Sequence, residues 1–226
     1  MTKKKEQVAK VEMVEKFPLD QRVVHWIGAI SFIICALTGL LLFTTAFDFL
    51  APLFGGKIMA SRIHRLAGVV FAITPIVALI WNGRNLREFL RDITHFDKDD
   101  IAFLKGFVPY ILNSPGFKYP PQGKYNGGEK LQAFAQVFLG VAIIITGFIL
   151  WFDGFFGQTL LQLSVPIHGI AALVTMLLAL GHIFFAAINP RSNAALTGMT
   201  NGKVPVEKIK VSNAKWYEQL KKENKI

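Results

Sequence analysis

His168 and His182 stand fourteen residues apart in the run Val165–Ile188, which contains no Lys, Arg, Asp or Glu. At 100° per residue the two imidazoles leave nearly the same helix face, and at about 1.5 Å rise they sit roughly 21 Å apart along it. An apolar run of this length spans a hydrocarbon core about 30 Å thick, which puts one ring near each edge. Ionisable side chains at such depth are costly and mark function: metal or haem ligation, a proton relay, or a polar helix contact. Three further histidines, His25, His64 and His95, must be placed before choosing among these.

The elements that position them are read from the distribution of apolar residues. The chain has 226 residues, 52% of them hydrophobic, with 20 phenylalanines gathered in blocks. This composition describes an all-α, four-helix transmembrane bundle rather than a soluble core. The expected spans are 23–45, 63–81, 131–152 and 165–188, forming one domain over 23–190 between an N-terminal tail (1–22) and a C-terminal tail (191–226). Residues 1–22 lack the apolar centre of a cleavable leader, so the first span is expected to stay as an anchor. Pro75 is a candidate kink in the second span, and Asn82–Gly83 its stop signal. Residues 84–129 form an amphipathic connection, with two short interfacial helices followed by a Pro-, Gly- and Asn-rich turn. Neither an internal repeat nor a second globular domain is expected.

Charge sets the topology. Of 25 Lys and Arg residues, only Lys57, Arg62 and Arg65 fall outside the two tails and the 84–130 connection. The positive-inside rule therefore places both termini in the cytoplasm. The net charge of +10 follows from these loops and calls for no nucleic-acid partner.

That topology sorts the histidines into two layers. His25 opens span one and His182 lies near the end of span four, both on the inner side. His64 opens span two and His168 span four, both on the outer side. Two imidazoles on different helices at one depth are what a six-coordinate b-type haem needs, so two haem b groups are expected, with iron ligands His25 with His182 and His64 with His168. Zinc fits less well, because neither layer adds a Cys or acidic ligand. Gly28, Gly68, Gly169 and Gly181 lie near the ligands; Gly68 would leave room for a macrocycle, although small residues also serve plain helix packing. His95 belongs to the polar connection and the single cysteine, Cys35, to packing. Arg22, Arg62 and Arg65 suit haem propionates or lipid headgroups equally.

The segments RVVHWIGAISFIICALTGL, RIHRLAG, GKYNGGEKLQ, IHGIAALVTMLLALGHIFFA and ALTGMTNGKV carry a family resemblance over Phe17–Tyr217. The chain resembles the cytochrome b, or gamma, subunits of membrane-bound formate dehydrogenases. The resemblance implies the same ligand pairs, and a bacterial inner-membrane protein that takes electrons from an iron–sulfur subunit. It also implies a cytoplasmic-side site for menaquinone or ubiquinone, where Asn126 bonds a quinone carbonyl and the Gly128 amide is a second donor. Gly127 and Glu129 depart from the Ala and Gln that relatives often have there, and Glu129 is read from that departure as a local proton donor. Formate chemistry would belong to a separate catalytic subunit, with a higher oligomer of the complex open. The same bundle could serve a hydrogenase or thiosulfate reductase, and a haem-free proton relay or a passive anchor are the rivals from other classes.

Overall fold

A computed structural model of the chain describes residues 11–112 and 114–226. In chain order the elements are β1 (Met13–Glu15), α1 (Leu19–Phe43), a turn of 3-10 helix (Thr45–Phe54), α2 (Lys57–Thr94), α3 (Lys98–Lys105), α4 (Phe107–Ile111), α5 (Gly127–Trp151), α6 (Gln158–Ile183), α7 (Ala194–Asn201), β2 (Lys203–Pro205), α8 (Val206–Ser212) and α9 (Ala214–Lys222). Helix dominates, and α1, α2, α5 and α6 are each long and apolar enough to cross a membrane. A short π-helical stretch, Phe184–Ile188, extends the last of them. Their outward residues, among them Leu66, Phe138, Leu177 and Ile80, are large and exposed, as a lipid-facing surface requires.

The chain divides into two compact units. The spanning unit comprises Leu19–Phe96 and Glu129–Phe185. In it α1 and α2 are joined through the Thr45–Phe54 turn, whose close at Gly55 and Gly56 requires positive φ of 73° and 92°, conformations glycine adopts without cost. The helix α2 runs on past the expected stop. Its one break is at Asn82 (φ −152°, ψ 76°), not at Pro75. The Asn82 side-chain oxygen accepts the Asn85 amide at 3.2 Å, so this residue ends one helical segment and caps the next.

Among the described residues the tail unit comprises 11–18, 97–112, 114–128 and 186–226. It differs from the expectation of two tails without a second globular region; of the expected N-terminal tail, residues 1–10 lie outside the described residues. β1 pairs antiparallel with β2, Val14 opposite Val204. Val14, Val204, Val206, Ile209, Trp216 and Leu220 form its buried apolar core. Asp97 caps α3, accepting the Asp99 and Asp100 amides, and its other oxygen takes the Lys215 ammonium of α9 at 2.6 Å. This pairing holds the Asp97 carboxyl down at about 2: the Lys215 hydrogen bond and the two capping amides outweigh its partial burial.

Candidate haem-ligand pairs and a turn at the start of a helix

The ring of His64 reaches from the start of α2 to the middle of α1. Its Nδ1 lies 3.1 Å from the Cys35 carbonyl and 3.0 Å from the Thr38 hydroxyl. A carbonyl only accepts, so Nδ1 carries the proton and the Nε2 lone pair is left for a ligand. The Thr38 hydroxyl donates to the Ile34 carbonyl at 2.7 Å, back along its own helix, which leaves its oxygen to accept from the imidazole. Helix α5 repeats this for His168. Thr146 donates to the Ala142 carbonyl at 2.7 Å, its oxygen stands 3.0 Å from His168 Nδ1, and the ring also bonds the Ile143 carbonyl. The glycine after each threonine makes the approach possible. A Cβ on Gly39 would stand 3.2 Å from His64 Cε1, and one on Gly147 would stand 3.2 Å from His168 Cε1.

These sockets bring the two rings beside each other, with centroids 6.3 Å apart and planes inclined at 68°. His25 of α1 and His182 of α6 form a second pair, with centroids 6.1 Å apart. The His25 ring rests edge-on against Trp26 at 5.2 Å, and its Nδ1 is buried without a hydrogen-bond partner. The structure thus brings all four expected ligands together, in the expected pairs.

The pairs can be tested against a bis-imidazole metal. With metal–nitrogen bonds of about 2.1 Å and ring nitrogens about 1.1 Å from the ring centroid, imidazoles on opposite sides of one ion have centroids roughly 6.4 Å apart. Both pairs meet this. Among the described residues no group of three or more His, Cys, Asp or Glu converges, so neither pair can complete a four-ligand zinc site. A macrocycle supplying four nitrogens of its own matches a site that offers two. At Gly68 and Gly181, each close to a ligand, a Cβ would meet nothing within 4 Å, which is the open space a flat ring needs.

Residues 16–202 match the family model for prokaryotic cytochrome b561. The chain belongs to that family. The match spans all four histidines of the two pairs. Among similar proteins is the cytochrome b556(Fdn) subunit of the nitrate-inducible formate dehydrogenase of Escherichia coli K12, 27% identical over 220 residues that cover 95% of each chain. The cytochrome b556(fdo) subunit of the same strain is 25% identical over 215 residues, 93% of this cytochrome and 95% of that one. The formate dehydrogenase cytochrome b556 subunit of Haemophilus influenzae is 27% identical over 203 residues, 88% and 79% of the two chains.

The remaining expected site residues of this cytochrome, Asn126 and Gly128, lie in the tail unit at the start of α5. Asn126 precedes the helix, and its Oδ1 turns over the first turn, 3.2 Å from where a Cβ on Gly128 would stand. The turn is fastened by Gln122, a residue the sequence did not single out. Its side chain is fully buried, its oxygen accepts the Gly127 amide at 2.8 Å, and its nitrogen donates to the Asp99 carbonyl at 2.9 Å. Gly127 is pressed so close to α3 that a Cβ would lie 2.5 Å from the Asp100 carbonyl oxygen. His95 is exposed at the end of α2, with its carbonyl accepting from the Lys130 ammonium at 3.1 Å. The Cys35 thiol donates to the His64 carbonyl at 3.6 Å, a packing contact between α1 and α2. The Arg65 guanidinium lies 5.8 Å from the centre of the Trp151 ring.

Proposed function

We propose that this cytochrome is the dihaem membrane subunit of a formate dehydrogenase-like complex, passing electrons from an iron–sulfur partner to a quinone. The observation that carries the reading is the pair of matched imidazole couples, His64 with His168 and His25 with His182, each at the separation a bis-imidazole iron requires. Haem b, when bound, supplies reversible one-electron carriage. The residues that would hold the two irons are His64 with His168 and His25 with His182, each pair drawn from different helices of an apolar bundle. The shared helix α6 spaces the two sites, because His168 and His182 lie fourteen residues apart on it.

The likeness to b556 subunits of formate dehydrogenases supports the assignment to such a complex. In this reading formate oxidation belongs to a separate catalytic subunit. The basic residues support an orientation with both termini in the bacterial cytoplasm, since only Lys57, Arg62 and Arg65 sit at the opposite loops. His64 and His168 are then the outer pair, next to the periplasmic partner. The turn Tyr125–Gly128 is the quinone-contacting segment of this reading: Asn126 bonds a quinone carbonyl and the Gly128 amide, in the first turn of α5, is the second donor.

A reduced-minus-oxidised spectrum of the purified subunit tests the core of this proposal. Two b-type haems per chain are expected; a preparation without a b-type band overturns it in favour of a haem-free relay.

A further inference from the structure

We propose that Thr38 and Thr146 are paired positioning residues that orient His64 and His168 and strengthen them as iron ligands, so that the potential of the haem between them is set lower than its imidazoles alone would give. The inference rests on the dihaem reading above and goes beyond it to residues that touch neither metal nor macrocycle.

Three observations carry it. The first is duplication. Thr38 and Thr146 lie on different helices, and the local geometry is the same at both: hydroxyl to the carbonyl four residues back at 2.7 Å, to the carbonyl three residues back at 3.3 Å, and to imidazole Nδ1 at 3.0 Å. In each case the carbonyl three residues before the threonine, Cys35 or Ile143, is a second acceptor for the same ring N–H. The second is burial. Thr38 is 0% exposed and Thr146 6%. Their hydroxyl protons are committed to their own helices, so the imidazole can only be met as a donor. That fixes the tautomer on both rings and aims both Nε2 lone pairs inward. The third is asymmetry. The other pair has no such socket at His25, whose Nδ1 is buried without a hydrogen-bond partner.

The chemistry follows from how a ligand's far nitrogen affects its near one. An imidazole whose outer N–H donates a hydrogen bond is a stronger electron donor through its other nitrogen. Stronger donation favours ferric over ferrous iron and lowers the potential, and both His64 and His168 would contribute to it. Removing either hydroxyl weakens the donation and raises the potential of that one haem.

The test uses the full-length cytochrome in membranes with its partner subunits. Thr38→Val and Thr146→Val keep the side-chain shape and remove the oxygen. Each is made alone and in a His182→Ala background, where the only remaining haem is the one between His64 and His168. Potentiometric titration should show that haem's midpoint moving upward in both Val variants; a tenfold loss of ferric preference reads as about 59 mV. Its ferric electron-spin resonance should shift as the ring turns, and Thr38→Ser should restore both signals. In a His64→Ala background, Thr38→Val should leave the other haem's midpoint where it was. Selective loss of the His64–His168 haem in Thr38→Val, regained in Thr38→Ser, supports positioning as well. The inference is overturned if the midpoint and resonance stay put in both Val variants, if Ser does not restore a loss, if both haems are lost together, or if the shift persists in the His64→Ala background. A His182→Ala protein that does not retain one haem defeats the dihaem reading itself, before the threonines are tested.

Discussion

Thr146 Oγ1 lies 3.0 Å from His168 Nδ1, and Gly147, the next residue, clears the space for that ring. Helix α5 has no histidine, yet it determines how a histidine of α6 is held. Thr38 and Gly39 do the same from α1 for His64 of α2. Each Thr–Gly doublet therefore works as one device: an acceptor for the ring N–H, and a missing Cβ so that the ring can come close enough to use it.

Gly39→Ala and Gly147→Ala should each disturb one haem only. The added methyl would meet imidazole Cε1 at 3.2 Å, so the ring must give by a few tenths of an ångström. Haem content per chain should fall from two towards one, while the His25–His182 site keeps its absorbance. Pyridine haemochrome quantitation of both variants checks this; an undiminished ratio with an unshifted spectrum would show the glycines to be incidental.

The histidine pairs were legible in the sequence because membrane depth is measured by position along apolar runs, and charge fixes which end of each run is which. The Thr–Gly doublets were present in plain view, in ALTGLLLF and IITGFILW, but one Thr and one Gly in a span carry no periodic signal and are common in membrane helices. The tail unit was also invisible, because its strands are three residues long and pair Val14 with Val204 across almost the whole chain. The stop signal at Asn82 coincides with the break in α2; that a second helical segment starts at once was not legible, since an asparagine that ends one helix and caps another looks the same in sequence as one that only ends it.

Gln122→Ala should loosen the Tyr125–Gly128 turn without touching haem. It strips the Gly127 amide of its buried acceptor and the Asp99 carbonyl of its donor. A cost of about 1–3 kcal/mol is expected for the groups left unpaired. Quinone reduction by the complex should fall while the reduced-minus-oxidised spectrum keeps its amplitude. Full quinone reductase activity in this variant would separate the turn from the quinone.

Acid should release α9 from α3. The Lys215 hydrogen bond holds the folded Asp97 carboxyl at about 2, below its ordinary value of 3.8. A depressed carboxyl contributes stability that is present above about pH 4 and is lost as pH falls towards 2, because the unfolded chain takes up the proton first. The pair is partly exposed, so the ion pair itself is worth only about 0.2–1 kcal/mol. Asp97→Ala adds the loss of the α3 cap, about 1 kcal/mol more. Hydrogen exchange of the α9 amides should rise between pH 4 and 2 in the native protein, and be raised already at neutral pH in Asp97→Ala. Equal protection in both proteins at pH 6 would count against this anchor.

The central claim is that α6 lends one ligand to each of two haems. The most direct measurement is haem stoichiometry with spectral assignment in His182→Ala. One haem should remain per chain, bound by His64 and His168, with its midpoint still responsive to Thr146→Val. Retention of two haems in His182→Ala, or loss of both in a protein that still inserts and assembles, would contradict the pairing.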